Sequence, residues 1–167
     1  MNMNFVSQIL LCLVLLIVQA LVLNNSHLFG FATPLLYVYT VICMRRNFPR
    51  WAALVISFLL GLGIDIFSNT PGVASASMTL LSAVRPALLA LFVPRDSSPE
   101  LVPSFSSLGT ARFVYYTMMM VIIYCVVFFS LEMFTIFNVL YWAESILGSM
   151  ALTVVLILVM ENVRRGK

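Results

Sequence analysis

Long apolar runs separated by short polar turns leave this chain one solvent in which to fold, a lipid bilayer. Backbone groups find no water there, so each run must close its own hydrogen bonds as a helix. Six runs are expected as spans, over residues 5–23, 28–44, 51–67, 73–93, 113–131 and 145–160. Crossing a core of about 30 Å takes about 20 residues at about 1.5 Å each. Of the 167 residues, 62% are apolar and 9% charged. The polar interruptions are too short to fold separately, so the expectation is one all-α integral membrane domain over residues 1–167 with six transmembrane helices.

The opening Met1-Asn2-Met3-Asn4 lacks the basic start of a secretory signal, and the first run is read as an uncleaved span. The second carries Pro34 and reads as a span or a re-entrant dip. Residues 94–110 hold Pro94, Pro99 and Pro103, which break regular helix, and read as a solvated connector. Glu132 and Glu144 bracket an aromatic stretch expected at the membrane surface as a helix end and turn, and residues 161–167 read as a polar tail.

Every Lys and Arg except Arg85 falls after run two, after run four, or in the C-terminal tail. Basic residues bias loops to the cytoplasm, so both termini are expected there. Net charge is +3, but the basic residues are dispersed, and a nucleic-acid partner would need a clustered basic face. Cys12, Cys43 and Cys125 each sit in an apolar run without CxxC spacing, as small buried hydrophobes do.

The chain is organised around residues 51–93, two apolar runs joined by Ser68-Asn69-Thr70-Pro71-Gly72. This hairpin holds Asp65 and Arg85, the ionisable residues deep inside expected spans, and such residues are functional-site candidates by default. At helical rise Asp65 lies about 21 Å from Trp51, and Arg85 about 12 Å from the inner end of its span. A direct pair between them is therefore not implied, and the alternatives are capping or interfacial water for Asp65 and snorkelling for Arg85. Pro86 frees the Ser82 carbonyl, a local partner for the Arg85 guanidinium. Gly61, Gly63 and Ala74-Ser75-Ala76-Ser77 suit close helix packing.

Catalytic constellations are not found. Membrane aspartyl proteases place their Asp directly after the second Gly of GxGD, whereas Ile64 intervenes in Gly61-Leu62-Gly63-Ile64-Asp65 and no second intramembrane carboxylate is in view. A serine protease of the rhomboid kind needs a His near its Ser, yet the single histidine, His27, lies in a turn. The same His and scattered carboxylates offer no metal site. No enzyme, metal or cofactor is expected.

The string Gly61-Leu62-Gly63-Ile64-Asp65-Ile66-Phe67, followed by Thr70-Pro71-Gly72, resembles the MreD family of bacterial rod-shape-determining membrane proteins. The motif covers about a dozen residues, while length and span layout are similar over the whole chain. The resemblance implies a non-enzymatic, multi-pass subunit of the elongation machinery in the bacterial inner membrane. It implies association with the bitopic protein MreC and, through it, with MreB, RodA and its partner transpeptidase, helping to organise lateral peptidoglycan synthesis. The implied fold is similar to the six-helix S components of energy-coupling-factor vitamin transporters, and such a component is the alternative reading. Those proteins carry small residues four apart in the first helix, where residues 5–23 offer the single Ala20. The scaffold reading makes Gly61, Gly63, Asp65, Pro71, Gly72 and Arg85 candidate partner- or ligand-binding residues, with membrane lipid around them.

Overall fold

The computed structural model describes residues 35–68, 70–93, 97–98, 101–132 and 139–165. The expected first span, the Pro34 segment, His27, Cys12 and Ala20 lie outside the described residues, as do Pro94, Arg95, Asp96, Pro99 and Glu100. Every regular element among the described residues is helical: α1 Val38–Ile42, α2 Arg50–Ser68, α3 Val73–Phe92, α4 Phe105–Leu108, α5 Thr110–Glu132 and α6 Val139–Arg165. Four stretches are long and apolar enough to cross a membrane: α2, α3, α5, and Trp142–Val163 within α6.

Helices α2 and α3 occupy the stretches expected of spans three and four, because Pro49 precedes the first and Pro71-Gly72 separates them. Helix α6 corrects the reading of the sixth span. It runs Val139–Arg165, so Glu144 is inside a helix rather than in a surface turn, and Glu161 is not tail. Residues 105–108 form one turn opened by a Ser104–Ser107 capping box, and the described residues before it are irregular, as the prolines require.

The packing pattern is that of a protein solvated by lipid. Trp51, Ile66, Leu91 and Leu140 are each more than 70% exposed. Hydroxyl residues Ser57, Ser77, Thr117, Ser149 and Thr153 are fully buried. Lipid is as apolar as leucine, so helix association comes from close packing and from polar contacts placed between helices. The main pairings are α2 on α3, α3 on α5 and α5 on α6.

Residues 35–44 lie at the centre of this arrangement and are all buried. The described part of the second expected span is therefore not a membrane-long helix, since α1 has five residues and rises only about 8 Å. Its backbone and tyrosines bond to the later helices. The Leu35 amide donates to Thr153 Oγ1 at 3.1 Å, Tyr37 and Tyr124 join their hydroxyls, and Tyr39 donates to Glu161 Oε2 at 2.6 Å. A buried carboxylate needs such donors, which explains why Glu161, 3% exposed, sits in α6 and not in a solvated tail.

Candidate functional site

The α2–α3 hairpin is built on one stripe from each helix. Ser57, Leu60, Gly61, Ile64 and Asp65 are buried on α2, at the three- and four-residue intervals that place side chains on one helix face. Buried on α3 are Ala74, Ser75, Ser77, Met78, Leu81 and Ser82, of which Ala74 and Ser75 lie against Gly61 of α2. Gly61 is the point of closest approach. A Cβ there would stand 2.7 Å from Ser75 N and 2.8 Å from Ala74 C, and nearer still to Ser75 Cα. All of these are backbone atoms, so no side-chain rotation could make room. Gly63, two residues on, points off that stripe and is half-buried.

Asp65 lies in the last turn of α2, where the helix dipole disfavours an anion. Its carboxylate instead serves the start of α3. Oδ1 accepts from Ala74 N at 2.8 Å and from Thr70 Oγ1 at 3.1 Å, and Oδ2 accepts from Ser75 N at 2.9 Å. The first intrahelical bond of α3 runs from Ala76 N to Gly72 O. The Ala74 and Ser75 amides are therefore among the orphan donors at its N-terminus, the ones an N-cap side chain normally satisfies. Gly72 is the N-cap residue and has no side chain, so an aspartate from the preceding helix takes over that work.

The turn makes this reach feasible. Gly72 has φ 87° and ψ −6°, the angles of the third residue of a type II turn, and Pro71 fits the second position. Both residues are exposed. Nothing lies within 4 Å of an added Cβ at Gly72, so Gly72→Ala tests backbone strain alone. It should cost about 1–2 kcal/mol, read as a lower unfolding midpoint in detergent with an unchanged fold.

Arg85 performs the converse task. Its Nη2 donates to the carbonyls of Met44 and Arg45, the latter at 3.2 Å. These carbonyls lie in the irregular segment after α1, and that of Arg45 also accepts from Phe48 N at 3.2 Å. Among the described residues Arg85 bonds neither Asp65 nor the Ser82 carbonyl, and its guanidinium takes these carbonyls instead. It is 3% exposed, and among the described residues its Nε has no hydrogen-bond partner. The two charges of the hairpin thus bind backbone groups, the anion the N-terminal amides of α3 and the cation the carbonyls of the segment after α1.

Around Arg85 the chain gathers its basic segments at one end. Arg46 N donates to Leu101 O at 2.9 Å, and its Nη1 donates to Ser97 Oγ at 2.6 Å and Ser97 O at 3.1 Å. Phe105 N reaches Glu161 Oε1 at 3.4 Å. The starts of α2 and α5 therefore lie at the same end as the close of α6, opposite to Asp65 and the Pro71-Gly72 turn. A cavity of about 460 Å³ opens there, lined by Arg46, Arg50, Ser82, Arg85 and Pro86 among others.

The interhelical partners of Tyr39 and Thr153 carry no sequence motif, and the one hint was a pair of tyrosines and a threonine inside an apolar run. Among the described residues, no three His, Cys, Asp or Glu side chains assemble as a metal site. Cys43 and Cys125 are buried, and among the described residues neither is in a disulfide. No protein-family model, curated protein or solved structure matches the chain.

Proposed function

We propose that the chain is a non-enzymatic scaffold subunit of the cell-elongation complex, of the MreD type. It is a multi-pass protein of the bacterial inner membrane with six spans and cytoplasmic termini. It binds MreC and through it communicates with MreB, RodA and the partner transpeptidase. The observation that supports this reading is that Asp65 directs both carboxylate oxygens to groups of its own hairpin. The polar part of the Gly61–Gly72 motif thus rigidifies a helix pair, as a packing platform requires, rather than facing a reaction centre. What the platform offers outward on α2 is an apolar row at helical spacing, Trp51, Val55, Leu59, Leu62 and Ile66, all exposed. In lipid, such a face associates by shape and dispersion with another helix.

Co-purification of the tagged protein from its native membrane in mild detergent tests the assignment. Recovery of MreC and cell-wall synthases is expected. Recovery of an ATPase and coupling subunits, or of a bound vitamin, would overturn it in favour of a transporter S component.

The topology has its own test. Asn47 and Pro71 are exposed and lie at opposite ends of α2, which spans about 28 Å. A cysteine at Pro71 should react with an impermeant maleimide added outside intact cells, and one at Asn47 only after the inner membrane is opened. The reverse pattern would invert the proposed orientation.

A further inference from the structure

We propose that the cavity beside Pro86 binds a phosphate ester, with Arg46, Arg50 and Arg85 as its cationic wall. This site stands independently of the scaffold reading. The cavity, about 460 Å³, lies between the start of α2 and the part of α3 around Pro86, and three of its lining side chains are guanidiniums. Among the described residues that line it, none is acidic. Surface arginines are ordinarily satisfied by water, and a group of them alone would mean little.

Two buried groups make this place different. Arg85 is 3% exposed and Ser82 4% exposed, and among the described residues Arg85 Nε and Ser82 Oγ have no hydrogen-bond partner. Both residues line the cavity, so its wall includes a cation fixed in place by burial and not only solvated surface arginines. The cavity also meets the N-terminus of α2 through Pro49 and Arg50. The first bond of that helix is Ala53 N to Pro49 O, so the amides before Ala53 have no helical acceptor and form an anion-accepting end. Pro86, lacking an N–H, leaves the Ser82 carbonyl free, and that carbonyl can accept from a hydroxyl on the same ligand. Cations, amide donors and one acceptor are the complement of a phosphate bearing a hydroxylated group.

Guanidinium forks match phosphate oxygens better than ammonium groups do. The site lies at the end of the bundle where the basic loops gather, the level of lipid headgroups. Two sources carry this chemistry, the headgroup of an anionic phospholipid and a soluble phosphate ester.

The test uses the purified full chain in detergent. Native mass spectrometry follows retention of phosphatidylglycerol against phosphatidylcholine, and thermal shift follows inorganic phosphate and glycerol 3-phosphate. Arg50→Gln should weaken binding roughly tenfold. Ala83→Trp fills the cavity without changing charge and should do the same. Both positions are exposed, so neither change disturbs the core. Arg112→Gln removes an exposed charge from the start of α5, outside the cavity lining, and should leave binding unchanged. Retention of one phosphatidylglycerol that both variants lose supports the site and assigns it to lipid. A thermal shift with the soluble phosphates that both variants lose, without lipid retention, supports the site and assigns it to a soluble ester. Equal behaviour of wild type, Arg50→Gln and Ala83→Trp, or an equal loss with Arg112→Gln, would overturn the proposal.

Discussion

Asp65→Ala is expected to lower stability by about 4 kcal/mol, because a hydrogen bond to a charged group contributes about 1.5–3 kcal/mol and a buried donor left unmade adds to the loss. Two such donors, the Ala74 and Ser75 amides, would be stranded. Dodecyl sulfate titration in mixed micelles reads the effect directly. The conservative series sharpens it. Asp65→Asn keeps one acceptor oxygen and loses the charge, so it should fall between wild type and alanine. Asp65→Glu keeps the charge but displaces it by a methylene group in a closed geometry, and should recover only part of the loss. If alanine unfolds within about 0.5 kcal/mol of wild type, the range of an ordinary surface change, the capping role is wrong.

Gly61→Val should cost about 3 kcal/mol, at the upper end for forcing extra carbon into a packed contact. Even the first added carbon meets the backbone of Ala74 and Ser75, so Gly61→Ala should already separate the helices measurably. Separation would also draw the α3 amides away from Asp65. The double variant Asp65→Ala/Gly61→Val should therefore be more stable than the sum of the single losses implies, since both act on one contact. A cross-link between cysteines placed on α2 and α3 should form more slowly in Gly61→Val and at the wild-type rate in Gly72→Ala. Additive losses would mean that the helix crossing and the cap are independent.

The hairpin was the legible part of the sequence. Helices α2 and α3 start directly after Pro49 and Pro71-Gly72, and the two glycine-rich and serine-rich stripes announce a close approach. The height difference between Asp65 and Arg85, counted at helical rise, correctly kept them from being an implied pair. Their true partners were hidden for a physical reason. Asp65 bonds backbone amides, and Arg85 bonds backbone carbonyls, and every residue carries those groups, so no side-chain type marks the partner. Glu161 was misread because the arginines and lysine that follow it imitate a tail, while its donor Tyr39 lies 122 positions earlier. The five-residue helix in the described part of the second apolar run escaped for a similar cause. Hydropathy reports that a segment avoids water, and residues 35–44 avoid it by being enclosed among the other helices.

That enclosure sets a timetable for assembly. The bonds from Leu35 to Thr153 and from Tyr39 to Glu161 join positions 118 and 122 residues apart, so they can form only after α6 has been synthesised. Until then the tyrosine hydroxyls and the Leu35 amide near the start of the described chain wait in the membrane for acceptors still to be translated. Contacts of such sequence separation slow folding, because a long loop must close before they reward it. The α2–α3 hairpin, whose own bonds span ten residues or fewer, is then the early-forming piece, and the arrival of α6 is the step that commits the bundle.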